Sequence, residues 1–342
     1  MVWNQTQSNC PAHDRIRVLI YGGGAVGLGI ASCLLHSGNE VDILARPQTV
    51  AALETEGLTR TGIFGDVHAS PGAFRCYKSL QEACSGPYDF VLICTKSFDS
   101  LAAAQDLGGQ RACMDSSAKL VLFQNGWGNA EVFAGRFDKS RIFNARVITG
   151  FHRHRPHKVE ITVHADSIHI GSLFGTDASL VENLCRAISA GGIPCETTDA
   201  IEKDLWAKML YNCALNPLGA ILGVPYGALA EHAATRQLMD RIVEEVFEVM
   251  VASGYKTHWQ KVRDFLAVFY DRLVPDTAEH RSSMLQDITA GKRTEIDVLN
   301  GAVIRLANEL GLQVPYNGAV YRLIRFLESR PDGSDRCGIM SS

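Results

Sequence analysis

A chain of 342 residues, 46% hydrophobic and 20% charged, can bury a core in each of two domains, which excludes a disordered or fibrous protein. A net charge of −4, from 33 basic and 37 acidic residues, with no basic stripe interleaved with aromatics, argues against nucleic acid as a partner. No apolar run reaches bilayer length, and Met1–Arg15 lacks the charged and apolar regions of a signal peptide, so no membrane contact and a cytoplasmic location are expected. Ten cysteines without a Cys-x-x-Cys pair then read as buried free thiols in a reducing compartment.

Residues 1–15 read as a polar, disordered extension. The first element is the apolar run Arg17-Val-Leu-Ile-Tyr21, followed by Gly22-Gly-Gly-Ala-Val-Gly27 and the apolar Leu28–Leu35, which predicts strand, glycine turn and helix. After a turn at Ser37-Gly38-Asn39, Glu40–Leu44 reads as a second, parallel strand closing a right-handed βαβ unit. Gly22-x-Gly24-x-x-Gly27 supplies the tight turn, close backbone approach and helix packing that a dinucleotide pyrophosphate requires. The amides of Ala25, Val26 and Gly27 open the helix and face the phosphates. A structural glycine turn is the alternative.

The second strand ends at Leu44-Ala45-Arg46, where an NAD site would carry Asp or Glu for the ribose. A guanidinium suits the 2′-phosphate of NADPH through charge-assisted bonds. Alternatively, Arg46 is a solvated loop residue and Asp42 holds the ribose. Phe90–Cys94 and Leu120–Phe123 are continuous apolar runs of the kind found in sheets covered on both faces. They end at Lys96 and at Asn125-Gly126, the edge where ligands meet an open α/β sheet. Val159–Val163 and Ser167–Gly171 alternate with polar residues and predict a hairpin added to the sheet. The run His152-Arg-His-Arg-Pro-His157 offers no clear coordination geometry and reads as a solvated loop, with no metal site expected.

The pattern becomes helical after about Thr198, so an α/β domain with a parallel sheet is expected over 16–198 and an all-α domain over 199–330, with a disordered tail at 331–342. Helices are predicted over Ile201–Asn216, Arg236–Ser253, Trp259–Tyr270, Ser282–Thr289 and Asp297–Leu310. Within the first, Lys208, Asn212 and Asn216 fall at i, i+4 and i+8 on an otherwise apolar surface, one polar stripe that needs partners. Pro217 should bend or end this helix. A buried lysine has a readily lowered pKa, as a general acid requires, whereas the bland reading lets it snorkel to solvent. Ser283 and Asp287 share one helical face, and Glu295 reads by itself as a helix-start carboxylate.

Taken together, Gly22–Gly27, Cys94-Thr-Lys96, Gln124-Asn-Gly126, Leu205-Trp-Ala-Lys208, Asn212-Cys-Ala-Leu-Asn-Pro217, Ser283-Met-Leu-Gln-Asp287, Thr294-Glu-Ile-Asp297 and Asn300-Gly301 resemble the ketopantoate reductase family in its order, from about Ile16 to Leu327. The resemblance implies a Rossmann-like domain followed by a helical domain, and reduction of 2-dehydropantoate to pantoate by NADPH, a step of pantothenate biosynthesis. It implies Lys208 as general acid and Glu295 as the group that binds the nascent hydroxyl. Asn125 would bridge cofactor and substrate, Lys96 would lie near the cofactor ribose, and Asn212, Asn216 and Ser283 would hold the substrate. The partner expected is a small 2-keto acid, and a homodimer is the assembly to test. Trp127 departs from the pattern and is expected to narrow the pocket. Another branched 2-keto acid remains an alternative substrate, and a non-catalytic NADPH sensor an alternative function.

Overall fold

The computed structural model describes residues 15–83, 86–110 and 117–330, so the disordered tail expected from the sequence, and all of the extension except Arg15, lie outside the described residues. The first part of the chain runs β1 (Arg17–Tyr21), α1 (Ala25–His36), β2 (Glu40–Leu44), α2 (Pro47–Glu56), β3 (Leu58–Gly62), β4 (Val67–Ala69), β5 (Arg75–Tyr77), α3 (Leu80–Ala83) and β6 (Phe90–Ile93). It continues through α4 (Ser100–Gly109), β7 (Lys119–Leu122), α5 (Asn129–Ala134), β8 (Ile142–Arg146), β9 (Thr149–Arg155), β10 (Lys158–His164), β11 (Ile168–Gly171), α6 (Glu182–Ala190) and β12 (Cys195–Thr197). The helical part comprises α7 (Ile201–Leu222), α8 (Tyr226–Glu231), α9 (Ala233–Ala252), α10 (Val262–Val268), α11 (Ser283–Thr289), α12 (Asn300–Leu310) and α13 (Pro315–Ser329).

Eight strands form the main sheet in the order β12-β11-β8-β7-β6-β1-β2-β5. Every pairing is parallel except that of β8 with β11. The continuous apolar runs have this cause: Val18, Leu19 and Ile20 in β1, and all of β6, are buried because helices cover both faces. From β1 the chain moves outward to β2 on one side, while β6 returns to the other side of β1. Their junction is the topological switch point, where an open sheet leaves a crevice at its carboxyl edge.

A second sheet, β4-β3-β10-β9, packs apart from the first. It corrects the expected hairpin. Val159 and Ile161 in β10 are buried and pair antiparallel with β9, whereas Ile168 and Ile170 belong to β11 in the main sheet. Alternation identifies the buried face of a strand without specifying its neighbour. His152–Arg155, expected in a loop, form the exposed end of β9, with His154 Nε2 2.6 Å from Glu160 Oε2 on β10.

The helical domain has its own core around Trp206, Leu210, Val246, Phe265 and Val303. Pro217 does not end α7, which continues for one more turn and stops at Gly223 in the left-handed conformation. A proline at 217 withholds the N–H that Cys213 O would accept, and the side chain of Asn300 supplies it instead, Nδ2 to O at 3.0 Å. Asn300 is itself fully buried and bonds Asn317 Oδ1 at 2.9 Å, so one polar contact ties α7, α12 and α13 together. The sequence reading omitted α8 and α13; Pro315 at the first turn of α13 was the available signal. Cys33, Cys185, Cys195 and Cys213 are buried free thiols. No helix among the described residues is long and apolar enough to cross a membrane.

Candidate active site

At the β1–α1 junction, Gly22 adopts φ +119°, and a Cβ there would stand 2.8 Å from Thr95 N at the end of the neighbouring β6. A Cβ on Gly27 would lie 2.1 Å from Gly22 O, so the helix can approach the turn only without a side chain. Gly24 caps α1 with no side-chain hydrogen bond, and a Cβ on it would meet only Cys94 O at 3.8 Å. The amides of the first turn, Ala25, Val26 and Gly27, have no capping side chain and sit at the positive end of the helix dipole, as an anion site requires.

Asp42, the rival ribose ligand, is 2% exposed. Its carboxylate accepts Arg75 Nε at 2.9 Å, Arg17 Nη2 at 3.2 Å and the Tyr88 hydroxyl at 2.7 Å. Each bond to a buried charge is worth roughly 1.5–3 kcal/mol, so turning Asp42 outward would forfeit several of them at once. Arg46 is exposed immediately beyond β2, at the start of α2. Of the two readings, only Arg46 is free to meet a ligand.

Across the crevice, side chains from both domains form one network. Lys208 Nζ donates to Asn125 Oδ1 at 2.6 Å and to Val147 O at 2.6 Å. Asn125 Nδ2 donates in turn to Glu295 Oε2 at 3.1 Å. The other Glu295 oxygen accepts Ser97 N at 3.1 Å and Ser97 Oγ at 2.8 Å. Lys96 Nζ lies 2.8 Å from Asp287 Oδ2 and 3.5 Å from Glu295 Oε2. Lys208 and Glu295 are thus linked through the Asn125 amide. Gly126, at φ +86°, permits this: a Cβ there would fall 2.5 Å from Val298 O, and Trp127 N donates to that same oxygen at 2.9 Å.

The electrostatics follow from the packing. Burial, reinforced by the Arg146 guanidinium, pushes the Lys208 pKa down to about 8, against the opposing pull of Glu295. Burial would raise Glu295, but Lys96 and the bonds from Asn125 and Ser97 outweigh it and hold the carboxyl below its usual range. Lys96 is likewise opposed by burial and raised by Glu295 and Asp287. The cleft therefore holds a fixed anion, a firmly charged lysine and a second lysine poised to exchange its proton near neutral pH.

The other expected residues distribute as follows. Asn212 is buried one turn beyond Lys208, and Asn216 Oδ1 accepts the Tyr226 hydroxyl. Ser282 Oγ donates to Asn216 O at 3.2 Å, which sets the first turn of α11, with exposed Ser283, against the stripe on α7. Glu295 does stand at the start of a short 3₁₀ turn, Ile296–Val298, but its side chain does not cap that turn, because its oxygens accept from Ser97 and Asn125 in the loops that follow β6 and β7. Trp127 does not narrow a pocket: it is 4% exposed and packs against Trp206 and Tyr255, each with ring centroids 4.7 Å away. Sequence reasoning missed Arg146 and Ser97. Arg146 is buried at the end of β8 and Ser97 lies directly after Lys96; neither has a spacing that marks it.

Two family models match the chain: "Ketopantoate reductase PanE/ApbA" over residues 18–175 and "Ketopantoate reductase PanE/ApbA C terminal" over residues 200–328. A 2-dehydropantoate 2-reductase of Aquifex aeolicus is 33% identical over 92% of this chain and 97% of its own. The crystal structure of a PanE/ApbA family ketopantoate reductase from Ralstonia eutropha aligns with a TM-score of 0.79 at 32% identity, covering 92% of this chain and 98% of that one. The fold is also that of a D-mandelate dehydrogenase solved with NADH and anilino(oxo)acetate, with a TM-score of 0.80 at 22% identity over 92% of this chain and 98% of that one. With both domains matched and the Lys208, Asn125 and Glu295 network at their junction, the chain belongs to the ketopantoate reductase family and is an oxidoreductase of that type.

Proposed function

We propose that this protein reduces 2-dehydropantoate to pantoate with NADPH, in the cytoplasm, as a step of pantothenate biosynthesis, with Lys208 as general acid. The observation that carries this reading is the shared Asn125 side chain, which joins Lys208 on α7 to Glu295 at the carboxyl edge of the sheet. The name borne by the Aquifex aeolicus relative supports the substrate.

The residues present fit the cofactor. The uncapped first turn of α1, with Gly22, Gly24, Ala25, Val26 and Gly27, would hold the pyrophosphate. Arg46 would take the 2′-phosphate, Lys96 would lie by the ribose and Asn125 would meet the nicotinamide side of the substrate. When bound, NADPH supplies the hydride. Lys208 holds a proton at Nζ and passes it to the ketone oxygen as negative charge develops there, an interaction stronger in the transition state than with the neutral ketone. Glu295 stays ionised, accepts the hydroxyl so formed and keeps the local field favourable to a protonated Lys208. Asn212, Asn216 and Ser283 orient the keto acid along the α7 stripe.

The test is NADPH oxidation by the purified protein across a panel of 2-keto acids that includes 2-dehydropantoate. The highest kcat/KM is expected with 2-dehydropantoate. A higher value with a different branched 2-keto acid would transfer the substrate assignment to that acid, and binding of NADPH without oxidation by any of them would favour a sensor.

A further inference from the structure

The second sheet reaches the cofactor end of the crevice through one residue. Arg153, on the exposed end of β9, places Nη1 3.0 Å from Gly23 O in the glycine turn and 3.4 Å from Thr49 Oγ1 in the first turn of α2. Phe151, two residues earlier on the same face of the strand, packs against the α/β core and fixes the strand's position. Arg46 stands at the N-cap of α2, three residues before Thr49, so the Arg153 guanidinium lies beside the segment that carries Arg46. Burial lowers the Arg153 pKa, and the Arg46 charge lowers it further, which places the two cations within mutual influence. Among the described residues neither arginine is paired with a carboxylate, and Arg153 makes no hydrogen bond through Nε or Nη2. Two unneutralised guanidinia held together repel, and the arrangement becomes favourable when a doubly charged anion sits between them.

We propose that Arg153 is a specificity-determining residue that closes, with Arg46, on the adenosine 2′-phosphate of NADPH, so that the second sheet forms one wall of the cofactor site. This rests on the NADPH reading and adds a cation from a separate sheet to it. Among the described residues Arg153 bonds the glycine turn and Thr49 rather than the network around Lys208.

The experiment measures Kd for NADPH and NADH by fluorescence titration of the full chain, in wild type, Arg153→Ala, Arg153→Lys and Arg46→Ala, with 2′-phospho-ADP-ribose and ADP-ribose as probes free of the nicotinamide. Losing one charge-assisted contact should weaken NADPH and 2′-phospho-ADP-ribose by roughly 10- to 100-fold. NADH and ADP-ribose should change less than about twofold, and Arg153→Lys should recover part of the loss. An equal loss for phosphorylated and unphosphorylated ligands would overturn the proposal and leave Arg153 as a brace for the glycine turn. So would unchanged NADPH affinity in Arg153→Ala. If the wild type itself fails to prefer NADPH, the NADPH reading and this proposal fall together; if it prefers NADPH and Arg153→Ala keeps that preference, only this proposal falls. Should Arg153→Ala not fold, as judged by circular dichroism, the Arg153→Gln and Arg153→Lys ratios decide in the same way.

Discussion

Two ends of one crevice are built by opposite means. The glycine-turn end is local and made of backbone: β1, the turn and α1 are contiguous, and the groups it offers a ligand are main-chain amides of the uncapped first turn. The lysine end is made of side chains from segments far apart in the chain, with Lys96, Asn125, Lys208 and Glu295 meeting only when the helical domain closes on the sheet edge. A site made of backbone tolerates side-chain change until a Cβ collides with it. A site made of coupled side chains is sensitive to single substitutions, because each group holds the position or shifts the ionisation of its neighbours. Binding and chemistry should therefore be separable by mutation.

The sharpest break between the two ends is Lys208→Ala. Turnover of 2-dehydropantoate should fall by roughly 10²- to 10⁴-fold while NADPH affinity is retained. Glu295→Ala should lose turnover as well, by roughly 10²-fold, and the double variant should lose less than the product of the two, since both act through Asn125. Steady-state kinetics on the four forms, with circular dichroism to establish folding, makes the comparison. Near-normal turnover in folded Lys208→Ala would falsify the general-acid role and leave the glycine-turn end intact.

The pH profile sharpens the contrast at smaller amplitude. Lys208 must carry its proton to act in reduction, and its pKa is lowered to about 8. The rate constant kcat/KM for reduction should be level between about pH 6 and 7 and fall about tenfold per pH unit above that pKa. Oxidation of the hydroxy acid, which needs the free amine, should rise over the same interval. If arginines and backbone amides hold NADPH as proposed, its affinity should cross that interval unchanged. A reduction profile that is level through pH 9.5 would remove Lys208 from the proton transfer.

The smallest expected effect is at the seam. Trp127→Met removes an indole packed against both Trp206 and Tyr255 and should cost about 1–3 kcal/mol of stability, read as a lower Tm. Relative kcat/KM values across the 2-keto acid panel should stay the same. A broadened panel without loss of stability would restore Trp127 as a wall of the substrate pocket.

The sequence by itself determined the features whose cause is local. The apolar runs of β1 and β6, the glycine spacing at 22, 24 and 27, and the arginine after β2 can be read in a short window because strand burial and the turn depend on neighbours a few residues away. The polar stripe on α7 was legible as an anomaly, since three polar residues at helical spacing on an apolar helix demand partners. Which partners they have was a matter for the tertiary structure. Pro217 reads in the sequence as a bend or an end of α7, yet the helix runs on to Leu222, and Asn300, 83 residues after the proline, supplies the donor that Cys213 O lacks. Glu295 begins a short 3₁₀ turn as a helix-start carboxylate would, but its side chain goes to Ser97 and Asn125 in the loops after β6 and β7. Arg46, beyond the tip of β2, reads in the sequence as the stronger candidate than Asp42 within the strand, and the tertiary structure engages Asp42 with Arg17, Arg75 and Tyr88. Alternation in β10 and β11 gave the buried faces but left the choice of sheet open, and with it the placement of Arg153 beside the glycine turn. Periodicity records which side of an element is buried, whereas the identity of the group opposite it depends on how distant segments pack.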